Sequence, residues 1–154
     1  MSWTIWKGDY VSMPTTNELA YIAGLFDGEG CIQYKQIMDT KRKSRPRRYK
    51  VWRITMEMSM TDKDIIDWVH KTLDVGTVLI NIKNKSPSSK PHWKTQWRWR
   101  CGHRQAYKVC KMLWPYIQVK LPQVEKIIDH YEPEFLMNDK VVSLHQYKLN
   151  MDME

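Results

Sequence analysis

The ten residues from Val51 to Met60 alternate cleanly from Trp52 onward. Trp52, Ile54, Met56, Met58 and Met60 fall on one side, and Arg53, Thr55, Glu57 and Ser59 on the other. A period of two over that length predicts a half-buried strand. Residues 31–38 alternate more loosely, with Ile32 and Tyr34 opposite Gln33 and Lys35, and predict its hairpin partner. After Gly76 the pattern recurs: Val78, Ile80 and Ile82 alternate with Thr77, Leu79, Asn81 and Lys83, then Trp97 and Trp99 with Gln96, Arg98 and Arg100. Helical spacing fills the intervals. Thr15-Thr16-Asn17-Glu18 is a capping-box pattern ahead of an apolar helix from about residue 16 to Asp27. Thr61 is positioned to cap a helix over about 62–73, whose apolar side carries Ile65, Ile66, Val69 and Leu73. Further helices are expected over about 103–113 (stopped by Pro115), 122–131 (opened by Pro122) and 139–148.

The predicted order is αββαββα followed by further helices, an α+β chain with a weak internal repeat in which each half supplies one hairpin. Each hairpin has an apolar face for helices and a polar face rich in cations. The expected architecture is therefore one antiparallel four-stranded sheet, covered by helices on one side and open on the other. Residues 1–14 lack a period and read as an N-terminal extension, leaving residues 15–154 as a single domain.

Composition narrows the class. Hydrophobic residues at 42% with 27% charged fit a globular chain rather than a disordered one. No apolar run approaches membrane-spanning length, and the N-terminus has no secretory pattern, so an intracellular protein with no membrane partner is expected. The three cysteines, Cys31, Cys101 and Cys110, are odd in number and unpaired in motif, which agrees with reduced thiols. Cys101, His103 and Cys110 lack zinc-finger spacing, and no serine or cysteine nucleophile has a supporting constellation.

The net charge is +8, and its placement matters more than its size. Residues 31–100 hold 17 Lys/Arg against 6 Asp/Glu, and the rest of the chain holds 8 against 11. The excess is thus confined to the two predicted hairpins and points to a polyanion. A two-stranded ribbon fits the major groove of DNA, where base edges carry an unambiguous code. Gln33, Lys35, Arg53, Thr55, Glu57, Ser59, Asn81, Lys83, Gln96, Arg98 and Arg100 form a chemically mixed set suited to reading it. Arg42, Arg45, Arg47 and Arg48 in the first hairpin loop and Lys85 in the second would add phosphate contacts.

Residues 19–30, Leu-Ala-Tyr-Ile-Ala-Gly-Leu-Phe-Asp-Gly-Glu-Gly, carry the chemistry. Ala20 and Gly24 lie four apart on one helical face and allow close approach of another backbone. Asp27 and Glu29 follow in a Gly-flanked turn. Oxygen donors of this kind hold hard divalent cations such as magnesium. The turn also directly precedes the first strand of the basic face, where a metal would reconcile carboxylate with phosphate and activate water.

The nine residues Ile22 to Gly30 resemble the motif that names the LAGLIDADG homing endonucleases. Ala23, Gly24, Leu25, Asp27 and Gly30 match it as written, and Ile22, Phe26, Gly28 and Glu29 keep apolar, small or acidic character. The order of elements over roughly residues 15–131 is also similar to the single-motif members. The resemblance implies a site-specific, metal-dependent endonuclease with Mg2+ as cofactor, Mn2+ as a substitute, and Ca2+ supporting binding without cleavage. Carried over by position, Glu29 is the metal-binding carboxylate, aided by the Gly28 carbonyl. Asp27 is the other acid of the motif, placed to bind metal or to organise the helix end.

Met60-Thr61-Asp62-Lys63 resembles the junction where the family positions a polar residue near the hydrolytic water, which nominates Asp62. Trp114 to Lys120 resembles the segment ending in the lysine that reaches the cleavage site, which nominates Lys120. One motif per chain implies a homodimer packed through Ala20, Ala23 and Gly24, a double-strand break and a pseudo-palindromic target. The rival reading is a non-cleaving binder of the same fold, either a maturase acting on intron RNA or a repressor. The source genome, whether phage, organelle or other, is left open.

Overall fold

The computed structural model describes residues 13–39, 50–81 and 90–136. α1 (Thr16–Glu29) begins with a complete capping box: the Thr15 hydroxyl accepts the Glu18 N–H at 3.2 Å, and the Glu18 carboxylate accepts the Thr15 N–H at 3.1 Å. The helix runs two residues past Asp27, and β1 (Gly30–Met38) follows with no connecting residue. That junction requires a glycine for space, because a Cβ on Gly30 would lie 2.5 Å from the Phe26 carbonyl oxygen and 2.6 Å from its ring.

β2 (Lys50–Met60) leads to α2 (Lys63–Leu73), β3 (Thr77–Asn81), β4 (Gln96–Gly102), α3 (Arg104–Leu113) and α4 (Leu121–Tyr131). A 3-10 turn over Pro133–Phe135 ends the described chain. The strands form one antiparallel sheet in the order β1-β2-β4-β3, so the two hairpins meet along β2 and β4. The α+β architecture read from the sequence, with four antiparallel strands and helices against one face, is the one observed.

Alternation in the central strands decides which face is covered. Ile54, Met56 and Met58 of β2 and Trp99 and Cys101 of β4 are buried beneath Ile22, Ala23 and Phe26 of α1, with the apolar faces of α2, α3 and α4 completing the core. Trp99 anchors the centre: its indole N–H donates to the Val75 carbonyl at 2.8 Å, and its ring meets Phe26 edge-on with centroids 6.5 Å apart. Farther along the same face, Trp52 stacks on Tyr34 and approaches His130 of α4.

Two expectations need correction. Asp62, not Thr61, is the N-cap of α2; its carboxylate accepts the Ile65 N–H at 3.1 Å. Ile80, expected on the covered face, is 63% exposed: in the five-residue edge strand β3, Val78 packs against the core beside α2, and Ile80 lies beyond it. The expected strand continuation at Ile82, the first basic loop, the second as far as residue 89, the helix over 139–148 and residues 1–12 lie outside the described residues. No helix among those described is long and apolar enough to cross a membrane.

Candidate active site and nucleic-acid interface

The carbonyls in the last turn of a helix lack intrahelical partners and carry its negative pole. At the end of α1 this pole meets a cation: Lys120 Nζ donates to the Asp27 carbonyl oxygen at 2.7 Å. The Asp27 carboxylate in turn accepts the backbone N–H of Gln118 at 2.8 Å and of Lys120 at 3.0 Å. The segment between α3 and α4 is thus stitched to the end of α1 from more than ninety residues away. Hydrogen bonds to an ionised acceptor are the strong kind, so this clasp fixes the helix end.

Glu29 lies in the same last turn and behaves differently. It is exposed and has no hydrogen bond or ion pair among the described residues. The helix was expected to end at Asp27 with Glu29 beyond it, and both acids instead belong to its last turn. The structure engages Asp27 inward and leaves Glu29 outward, beside the exposed Gly28 with its helix-terminal carbonyl. Asp62 lies at the same end of the sheet, since Gly30 pairs with Met58 and Asp62 follows four residues later, but its carboxylate caps α2.

No group of three or more His, Cys, Asp and Glu side chains among the described residues could hold a metal ion. A self-sufficient cage is therefore not formed by them. The donors at the α1 end are nevertheless all hard oxygen, one free carboxylate and helix-terminal carbonyls. Magnesium is typically held by one or two carboxylates, with waters and substrate phosphates completing an octahedron. The residues fit a site of that shared type.

The open face of the sheet follows from the register. Glu57 pairs with Cys31 on one side and Arg100 on the other, and Arg100 pairs with Thr77; Ser59 pairs with Arg98, and Arg98 with Leu79. Lys35 lies opposite Arg53, Gln33 opposite Thr55 and Gln96 opposite Asn81. The structure therefore gathers the sequence-nominated set Gln33, Lys35, Arg53, Glu57, Ser59, Asn81, Gln96, Arg98 and Arg100 on one surface. Thr55 is the exception: it shares the face but is 7% exposed, recessed between Gln33 and Gly102, and offers little to a groove. Arg42, Arg45, Arg47, Arg48, Lys83 and Lys85 lie outside the described residues.

Cys31, Thr77 and Leu79 share this face and were not nominated. Leu79 is 48% exposed and was passed over because an apolar residue is not sought on a polar surface. Lys35 and Arg53 are both exposed and face each other across two strands, a like-charge pairing that costs free energy without an anion.

The outer side of α1 is small and open. Ala20 and Gly24 are exposed, and a Cβ on Gly24 or Gly28 would meet nothing within 4 Å. Ala23, grouped with them from the sequence, is fully buried in its own chain's core and is not available to a partner.

No family model matches the chain. Among solved structures it is similar to the homing endonuclease I-CvuI, crystallised with the I-CreI target in 2 mM Mg with the DNA not cleaved. That match has a TM-score of 0.52 and 20% identity, over 79% of this chain and 74% of that one. The archaeal intron-encoded homing endonuclease I-Vdi141I, complexed with DNA, matches at TM-score 0.52 and 12% identity over 73% and 65%. The LAGLIDADG meganuclease I-CpaMI, bound to uncleaved DNA, matches at TM-score 0.51 and 15% identity, and there 79% of this chain spans 40% of the other. The fold is that of the LAGLIDADG homing endonucleases.

Proposed function

We propose that the protein is a site-specific homing endonuclease. It acts as a homodimer and makes a metal-dependent double-strand break in a long, pseudo-palindromic DNA target. The observation that carries this reading is the division of labour at the end of α1, where Asp27 is consumed by the clasp and Glu29 has no partner among the described residues, next to a basic sheet face. A carboxylate exposed beside a phosphate-binding surface is unfavourable unless a cation joins them. The DNA-bound homing endonucleases of the same fold support the choice of partner, and neighbours crystallised in Mg and in Ca support divalent metal use.

Glu29 and the Gly28 carbonyl would hold Mg2+ together with the scissile phosphate, with Mn2+ as substitute and Ca2+ supporting binding alone. Bound there, the ion supplies water activation and charge neutralisation. Lys120, held at the helix end by its bond to Asp27, is positioned to offset the charge that builds on the phosphate. Asp27 positions Lys120 through the backbone and does not touch the metal. Asp62 orients solvent at that end of the sheet while capping α2.

One acidic helix end per chain serves one strand, so both strands require two chains. Ala20 and Gly24 form the open stripe through which two α1 helices would pack about a two-fold axis. Incubation with a plasmid library of candidate targets tests the reading. Specific linearisation in Mg2+ and binding without cutting in Ca2+ are expected. Binding without cutting in any divalent metal would instead favour the repressor, and preference for intron RNA the maturase.

A further inference from the structure

Arg98 and Arg100 stand on the open face two residues apart, and both lie within ion-pair range of one carboxylate. Arg98 Nε donates to Ser59 Oγ at 3.1 Å, and its Nη1 lies 3.9 Å from Glu57 Oε2. Arg100 Nε lies 4.0 Å from the same Glu57 oxygen. Glu57 is the most enclosed of the three, with a side chain 22% exposed against 31% and 43% for the two arginines. Arg98 is thus held through Nε and Nη1, and Arg100 is drawn through Nε to the same carboxylate at ion-pair range, which leaves Nη2 of Arg98 and both terminal nitrogens of Arg100 without a protein partner among the described residues. Partly exposed ion pairs of this length contribute little to stability, so their value lies in orientation.

A guanidinium fork held in place matches the O6 and N7 acceptors of guanine, the commonest specific contact in the major groove. A free carboxylate in the same place would select cytosine through its amino group. Glu57 lies instead between two cations that neutralise it. Leu79 adds a second element: it sits directly opposite Arg98 on β3, 48% exposed, as an apolar side chain amid charges. The C5-methyl of thymine is the one apolar feature of the major groove.

Resting on the endonuclease reading, we infer that Glu57 is a positioning residue that aims Arg98 and Arg100 at two guanines within about three base pairs of each other in each half-site, and that Leu79 reads a thymine methyl beside the guanine of Arg98. Successive same-face residues on a strand are spaced by about two base-pair steps, which sets that window.

Selection of bound sequences from a randomised duplex pool in Ca2+, followed by affinity measurements, tests this. Wild type should enrich two guanines and a neighbouring thymine in each half-site. Glu57→Gln, nearly isosteric at a partly exposed position, should keep its melting temperature yet lose about tenfold in preference for those guanines. Arg98→Lys should lose one guanine column and keep the other. Replacing the thymine by uracil, which removes only the methyl, should weaken wild type several-fold and leave Leu79→Ala unchanged. Binding with no guanine enrichment, or Glu57→Gln with unaltered selectivity, overturns the inference and leaves the endonuclease reading intact. Failure to bind any duplex overturns both.

Discussion

Asp27 and Glu29 are two residues apart in one helical turn, and the fold uses them in opposite ways. Asp27 satisfies two backbone N–H groups of the segment before α4, while Glu29 satisfies nothing among the described residues. The sequence shows both acids but not this division, because the partners of Asp27 lie 91 and 93 residues away and no local pattern signals them. Substitution separates the two roles. Asp27→Asn replaces an acceptor oxygen with an amide donor aimed at another donor, and should cost about 1–3 kcal/mol in urea unfolding. Glu29→Gln should leave unfolding unchanged within about 0.5 kcal/mol, as expected for an exposed side chain. Equal destabilisation by both would mean that Glu29 has a structural partner.

Legibility among the elements follows burial. β2 was readable because one face packs under helices and the other meets solvent, so its alternation is a direct print of its environment. β3 was misread at Ile80 because the helical cover ends along this edge strand: Val78 packs against the core, and Ile80, two residues on, does not. The start of α1 was fixed by its capping box, whereas its end was set one half-turn early. Gly28 looks like a stop in the sequence, yet the close approach that demands glycine falls at Gly30.

The junction before α2 offers two capping residues in succession, and only the structure selects Asp62. Asp62→Ala should therefore cost about 1 kcal/mol of stability and Thr61→Ala much less, as measured by thermal unfolding. The cysteines test the open face. Burial pushes the Cys101 thiol up to about 12 and the Cys110 thiol higher, so both should resist alkylation in the native protein. Cys31 is exposed on the sheet's open face, opposite Glu57. It should label readily, and bound target DNA should protect it; labelling at an unchanged rate in the complex would move the interface elsewhere.

For the whole molecule, the end of α1 runs directly into β1, so the acidic helix end and the open sheet face adjoin. In the proposed function the basic face would supply DNA contacts, the α1 end the acid, and the outer side of α1 room for a second copy. Gly24 tests the last of these independently of the fold. A Cβ there meets nothing within 4 Å, and leucine is a better helix former than glycine. Gly24→Leu should therefore fold at least as stably as wild type while sedimenting as a monomer at concentrations where wild type is a dimer. A dimer that survives the substitution would mean that α1 does not form the interface.

The central claim is that each chain contributes one acidic helix end, and each helix end cuts one strand. Heterodimers of wild type with Glu29→Gln, isolated by two different affinity tags, test this directly on a supercoiled plasmid carrying the target in Mg2+. Wild type should give linear DNA, the Glu29→Gln homodimer intact plasmid, and the heterodimer nicked circles. Linear product from the heterodimer at the wild-type rate, or cutting by the Glu29→Gln homodimer, would contradict the account.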